Sequence, residues 1–116
     1  MGSNSYPSTK DSILFIEDLD EYSYHLDRMM YGLLRSGSLK HIKAILVGSF
    51  TDIHDHSIPF GETYQDIFTK FSEHLNIPIY YNFPAGHTNT NEPIALGKSV
   101  TISKHKNKSY ILTYDE

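Results

Sequence analysis

The chain has 116 residues, 39% of them hydrophobic and 13% aromatic, which suits one folded domain and is too apolar for a disordered chain. With 14 acidic against 10 basic residues its formal charge is −4, which excludes partners held by a bulk basic footprint: nucleic acid and anionic membrane surfaces. It has no cysteine, so disulfide scaffolds, thiolate metal sites and cysteine nucleophiles are all excluded, and a bound metal would need histidine and carboxylate ligands.

No apolar run approaches the ~20 residues that span a bilayer, and Met-Gly-Ser-Asn-Ser lacks the charged-then-apolar order of a signal peptide, so a cytoplasmic protein is expected. Residues 1–11 are small, polar and aperiodic and read as a flexible tail or cloning remnant, leaving 12–116 as the folded domain. Ile13-Leu14-Phe15-Ile16 is a continuous apolar run that gives way to Glu17-Asp18-Leu19-Asp20-Glu21, the pattern of a buried strand ending in an acidic loop. From Tyr22 to Arg35, Leu26, Met29, Met30, Leu33 and Leu34 recur at helical spacing, with Gly37 as the stop. Ile42 to Val47, closed by Gly48, reads as a second strand, which makes a parallel strand-helix-strand unit with a right-handed crossover.

A polar loop over 49–62 follows, carrying Pro59 and Gly61. Thr63 with Asp66 three residues on predicts an N-cap, and Tyr64, Ile67, Phe68, Phe71 and Leu75 form the apolar stripe of a second helix. A third strand over Ile77 to Tyr81 is entered through Pro78 and runs out into the loop Asn82-Phe83-Pro84-Ala85-Gly86-His87. Val100 and Ile102 alternate with polar residues, and after Lys106-Asn107-Lys108 the segment Tyr110 to Tyr114 completes an antiparallel hairpin. The expected fold is α/β, with a small parallel sheet, two helices on one side and the C-terminal hairpin as a second layer.

Ligands of parallel α/β sheets gather outside the carboxyl ends of the strands. Two residues stand there: Glu17 after the first strand and His87 after the third, preceded by Gly86, which lets the backbone bend closely. A carboxylate that orients an imidazole, which in turn deprotonates a nucleophile, is two thirds of a nucleophilic triad. No serine sits in a Gly-x-Ser-x-Gly elbow, and Ser49 in Gly48-Ser49-Phe50 is a weak substitute. Asp18, Asp20 and Glu21 share the acidic loop, so the residues alone leave open which carboxylate faces His87.

Four blocks carry a more specific signal. Ile13-Leu14-Phe15-Ile16-Glu17-Asp18-Leu19-Asp20-Glu21-Tyr22 with His25-Leu26-Asp27-Arg28-Met29, then Ala44-Ile45-Leu46-Val47-Gly48-Ser49-Phe50-Thr51-Asp52, Ile77-Pro78-Ile79 and Pro84-Ala85-Gly86-His87 resemble the C-terminal domain of the L,D-carboxypeptidases. The resemblance runs over residues 12–114, with the blocks in the family's order and spacing, and extends to the immunity hydrolases that degrade microcin C. It implies a swivelling β/β/α domain of a serine peptidase with a Ser-Glu-His triad, which removes the terminal D-alanine of murein tetrapeptides in cell-wall recycling. Carried over, Glu17 matches the triad glutamate and His87 the triad histidine. The family's serine lies in a separate N-terminal domain, so the resemblance implies that this chain is a C-terminal half, inactive alone. It also implies that domain as a partner, a homodimer for the complete enzyme, and no cofactor or metal. Tyr24 replaces an arginine usual in the family.

Two other readings remain open at this level. The loops after the strands could bind a peptide or partner domain without catalysis. Alternatively, Asp52, His54 and His56 in Asp52-Ile53-His54-Asp55-His56 offer donors at alternate positions that would suit zinc in an extended segment. Asp27 and Arg28 read as a structural ion pair within the first helix, and Tyr80, Tyr81, Tyr110 and Tyr114 as half-buried sheet residues.

Overall fold

The computed structural model describes residues 3–116. Three parallel strands, β1 (Ile13–Leu19), β2 (Ala44–Thr51) and β3 (Ile79–Tyr80), form a sheet in the order β1-β2-β3, connected by helices α1 (Ser23–Arg35) and α2 (Tyr64–Leu75). A separate antiparallel pair, β4 (Val100–Lys104) and β5 (Tyr110–Tyr114), makes the hairpin. Among the described residues no helix is long and apolar enough to cross a membrane.

Strand alternation sorts the apolar side chains into two layers. Leu14, Ile16, Ile45, Val47 and Ile79 face the helices and pack with Leu26 and Met30 of α1 and Ile67, Phe68 and Phe71 of α2. On the opposite face Ile13, Phe15, Leu46 and Tyr80 meet Phe83 and Ala85, and Ile102, Tyr110 and Leu112 of the hairpin. β2 is therefore covered on both sides, which is why its sequence is continuously apolar from Ala44 to Val47. The hairpin is pinned by the Tyr110 hydroxyl, which donates to the Tyr81 carbonyl at 3.0 Å, and burial pushes that phenol up to about 12.

The α2 start is a capping box: the Asp66 N–H donates to Thr63 Oγ1 at 3.2 Å while the Thr63 N–H donates to Asp66 Oδ2 at 2.8 Å. Asn76, with φ of 52°, ends the same helix in the left-handed conformation. Asp27 of α1 pairs with Lys70 of α2 at 2.7 Å, not with its neighbour Arg28, whose guanidinium lies over the Tyr24 ring. Desolvation opposes the Lys70 charge, but the carboxylates of Asp27 and Glu62 outweigh it and hold the ammonium above its usual range. Upstream of β1, the Asp11 N–H donates to the His41 carbonyl at 2.9 Å and Thr9 Oγ1 to the Ser38 carbonyl at 2.6 Å.

The three strands of the sheet differ in their bounds from the sequence expectation. β1 continues through Glu17 to Leu19, and β2 continues through Gly48 to Thr51, because the two strands resume pairing after an irregularity: Ile16 opposes Val47, but Asp18 opposes Phe50. β2 thus carries one extra residue, with Gly48 and Ser49 bulging opposite Glu17. β3 is cut to two residues, since Pro78 has no N–H to donate and Asn82, at φ of 61°, turns the chain. Phe68, fully buried between α2 and the sheet, carries much of the helix-side layer: Phe68→Ala should lower unfolding free energy by about 3–5 kcal/mol, and Thr63→Ala by about 1 kcal/mol. Urea denaturation of both variants checks the two values.

Candidate active site

Glu17 and His87 are 70 residues apart in sequence and meet at the carboxyl end of the sheet, where His87 Nδ1 and Glu17 Oε2 lie 3.0 Å apart. The crossing that joins them is built by the segment after β3. Phe83 N–H donates to the Val47 carbonyl and Ser49 N–H to the Ala85 carbonyl, each at 3.0 Å, so residues 83–87 lie across the bulged end of β2. The absence of two side chains permits this approach. A Cβ on Gly48 would sit 2.6 Å from the Ala85 carbonyl oxygen and 2.9 Å from the Phe15 ring. A Cβ on Gly86, whose φ is +120°, would sit 2.2 Å from Ser49 Oγ and 2.8 Å from Glu17 Oε2. Asn91 Oδ1 then accepts the Gly86 N–H at 3.0 Å, fixing the turn that presents His87.

The pair is accessible but not loose. The His87 side chain is 57% exposed and that of Glu17 28%, and both line an open cleft of about 440 Å³ bordered by Phe15, Asn91 and Glu92. Because Nδ1 is engaged by the carboxylate, Nε2 is the ring nitrogen left for another group. This is the geometry of a base and its orienter.

The other carboxylates of the acidic stretch are committed elsewhere. Glu21 contacts the His25 ring one helical turn on and accepts the Tyr22 N–H at 2.9 Å. Asp20 meets His54 Nε2 at 2.5 Å, and Asp18 accepts the neighbouring Leu19 N–H. Asp52, His54 and His56 do not gather into a ligand set: among the described residues no group of three histidine or carboxylate side chains could hold a metal. His56 instead stacks on Tyr22, with ring centroids 4.6 Å apart. Ser49, the weakly suggestive serine, is buried with its hydroxyl beside the vacant side-chain position of Gly86 and cannot meet a substrate carbonyl.

Residues 1–102 match the family described as the LD-carboxypeptidase C-terminal domain. This chain belongs to that family. It is 30% identical over 95 residues to the murein tetrapeptide carboxypeptidase of Pseudomonas aeruginosa, covering 82% of this chain and 30% of that protein. The fold superimposes on a crystal structure of the muramoyltetrapeptide carboxypeptidase from Oxalobacter formigenes with a TM-score of 0.82 at 27% identity, over 95% of this chain and 38% of that one. The chain therefore spans about a third of the length of the carboxypeptidases it matches.

The structure brings together Glu17 and His87, two residues the sequence singled out, across a bend at Gly86; the bulge at Gly48 and Ser49 was not anticipated. A glycine inside an otherwise strand-like apolar run was the signal for it. Two predictions follow from the crossing and from the acidic stretch. Gly86→Ala should lower stability by about 1–3 kcal/mol and abolish the Glu17–His87 contact, read from His87 resonances. Gly97→Ala, at φ of +72° with nothing near the added carbon, should leave that contact intact. The Tyr22 N–H and then His25 hold the Glu21 carboxyl below its ordinary value near 4.5. The stabilisation by Glu21 is accordingly complete above pH 4.5 and lost as pH falls through the lowered value, so Glu21→Gln should differ from wild type in urea melts at neutral pH and converge with it in acid.

Proposed function

We propose that this chain supplies the base half of a serine L,D-carboxypeptidase acting on murein tetrapeptides, with Glu17 as orienter and His87 as general base, and that the nucleophilic serine lies on protein outside these 116 residues. The observation that carries the reading is the 3.0 Å contact between His87 Nδ1 and Glu17 at the strand ends, within a fold shared with murein tetrapeptide carboxypeptidases. A homodimer of the complete enzyme and action in the cytoplasm, in cell-wall recycling, belong to the same proposal.

In this mechanism the serine hydroxyl attacks the carbonyl that links the L-centre of the diamino acid to D-alanine, and His87 Nε2 takes its proton. Glu17 holds the ring in the Nδ1–H tautomer and stabilises the imidazolium. As the C–N bond breaks, His87 returns the proton to the D-alanine nitrogen, and the acyl-enzyme is then hydrolysed by a water that His87 activates in the same way. The oxyanion donors accompany the nucleophile's own backbone, on the serine-bearing part. No step calls on a cofactor.

D-alanine release from a murein tetrapeptide tests the reading. The complete enzyme should release it, Glu17→Gln should lower kcat by about 10⁴, the loss that follows when a triad imidazole is left in the wrong tautomer, and His87→Ala should lower it at least as far. The 116-residue chain alone should release none. Wild-type release by His87→Ala would overturn the assignment.

A further inference from the structure

The Glu17–His87 pair leaves one buried polar group unexplained. Ser49 is 9% exposed, and its Oγ has no hydrogen-bond partner among the described residues. A buried hydroxyl without a partner is penalised in a way that alanine at the same place would not be. The backbone of Ser49 has a structural task, since its N–H donates to the Ala85 carbonyl at 3.0 Å, but any residue except proline offers that donor.

The side chain is aimed at the pair. The vacant side-chain position of Gly86 lies 2.2 Å from Ser49 Oγ and 2.8 Å from Glu17 Oε2, so hydroxyl and carboxylate flank the same point and are at most about 5 Å apart. Glu17 has acceptor capacity to spare, because a carboxylate has about four lone-pair sites and His87 takes one of them. Its carboxylate is partly solvated, and its partner His87 is more exposed still, so the Glu17 side chain has a free end that His87 alone does not hold. Ser49 sits on a rigid base, in the buried central strand.

We infer that Ser49 is a positioning residue for Glu17, its hydroxyl donating to the carboxylate directly or through one ordered water and so fixing the arrangement in which Oε2 receives the His87 Nδ1–H. This rests on the functional reading above, in which Glu17 sets the tautomer of His87. A hydrogen bond to a carboxylate is charge-assisted and short, and the separation of at most about 5 Å is one that a single bridging water or a small side-chain adjustment spans. It also accounts for glycine at position 86, since a side chain there would stand between the two groups.

Ring ¹⁵N NMR of the 116-residue chain, at a pH where His87 is neutral, reads the tautomer directly. Wild type should hold His87 mainly as the Nδ1–H form. Ser49→Ala should reduce that population several-fold, toward the Nε2–H form that prevails in free histidine. Ser49→Cys, which keeps the shape with a somewhat larger atom and is a weak donor, should do the same. Amide spectra that superimpose on wild type away from the site establish that each variant is folded. If either serine variant keeps the wild-type tautomer while Glu17→Ala loses it, the role of Ser49 is overturned and the Glu17–His87 pair stands. If Glu17→Ala has no effect either, the pair itself fails and the inference with it.

Discussion

The close passage of residues 83–87 over the end of β2 is the constraint on which the site depends. In a sheet ordered β1-β2-β3, the loop after β3 begins two strand spacings from β1, roughly 10 Å away. A histidine there reaches a carboxylate on β1 only if its backbone crosses β2 at van der Waals distance. Gly48 and Gly86 remove the two side chains that would block the crossing. The bonds from Phe83 to Val47 and from Ser49 to Ala85 then hold it. The bulge supplies the geometry, since it turns the end of β2 and leaves Glu17 opposite two residues instead of one.

The remainder of the fold makes that crossing rigid. Helix-side residues such as Ile67, Phe68 and Phe71 clamp one face of β2, while Phe83, Ala85 and the hairpin clamp the other. Phe83 and Ala85 belong at once to the second layer and to the segment that carries His87, so packing of the hairpin face also places His87. The Glu17–His87 pair is then left at the strand ends in an open cleft, with Phe15 lining it and His87 more than half exposed. Such a site is prepared on one side only, which fits a chain spanning about a third of its relatives' length.

Much of this was legible in the sequence because it depends on local periodicity. The apolar runs at Ile13 and Ile42, the stripes of both helices, the Thr63–Asp66 cap and the alternation of the hairpin each follow from spacing within a few residues. What depends on pairing between strands was not legible. β1 reads as stopping at Ile16 because Glu17 and Asp18 are charged, yet the ladder resumes with Phe50 and Thr51 on β2. Likewise β3 loses most of its expected length to Pro78 and to the turn at Asn82. The residues alone left Glu17 and Glu21 both open and only the family resemblance favoured Glu17; with the helix in place, Glu21 is seen to be claimed by the His25 ring four positions on.

The most direct measurement is a crystal structure of this chain joined to the serine-bearing part proposed for it, read at His87 Nε2. The account predicts a serine Oγ, from outside these residues, within the 2.6–3.2 Å that proton transfer to a base requires. Nε2 packed against this chain's own atoms, or a solvent-filled cleft with no nucleophile within reach, would contradict it.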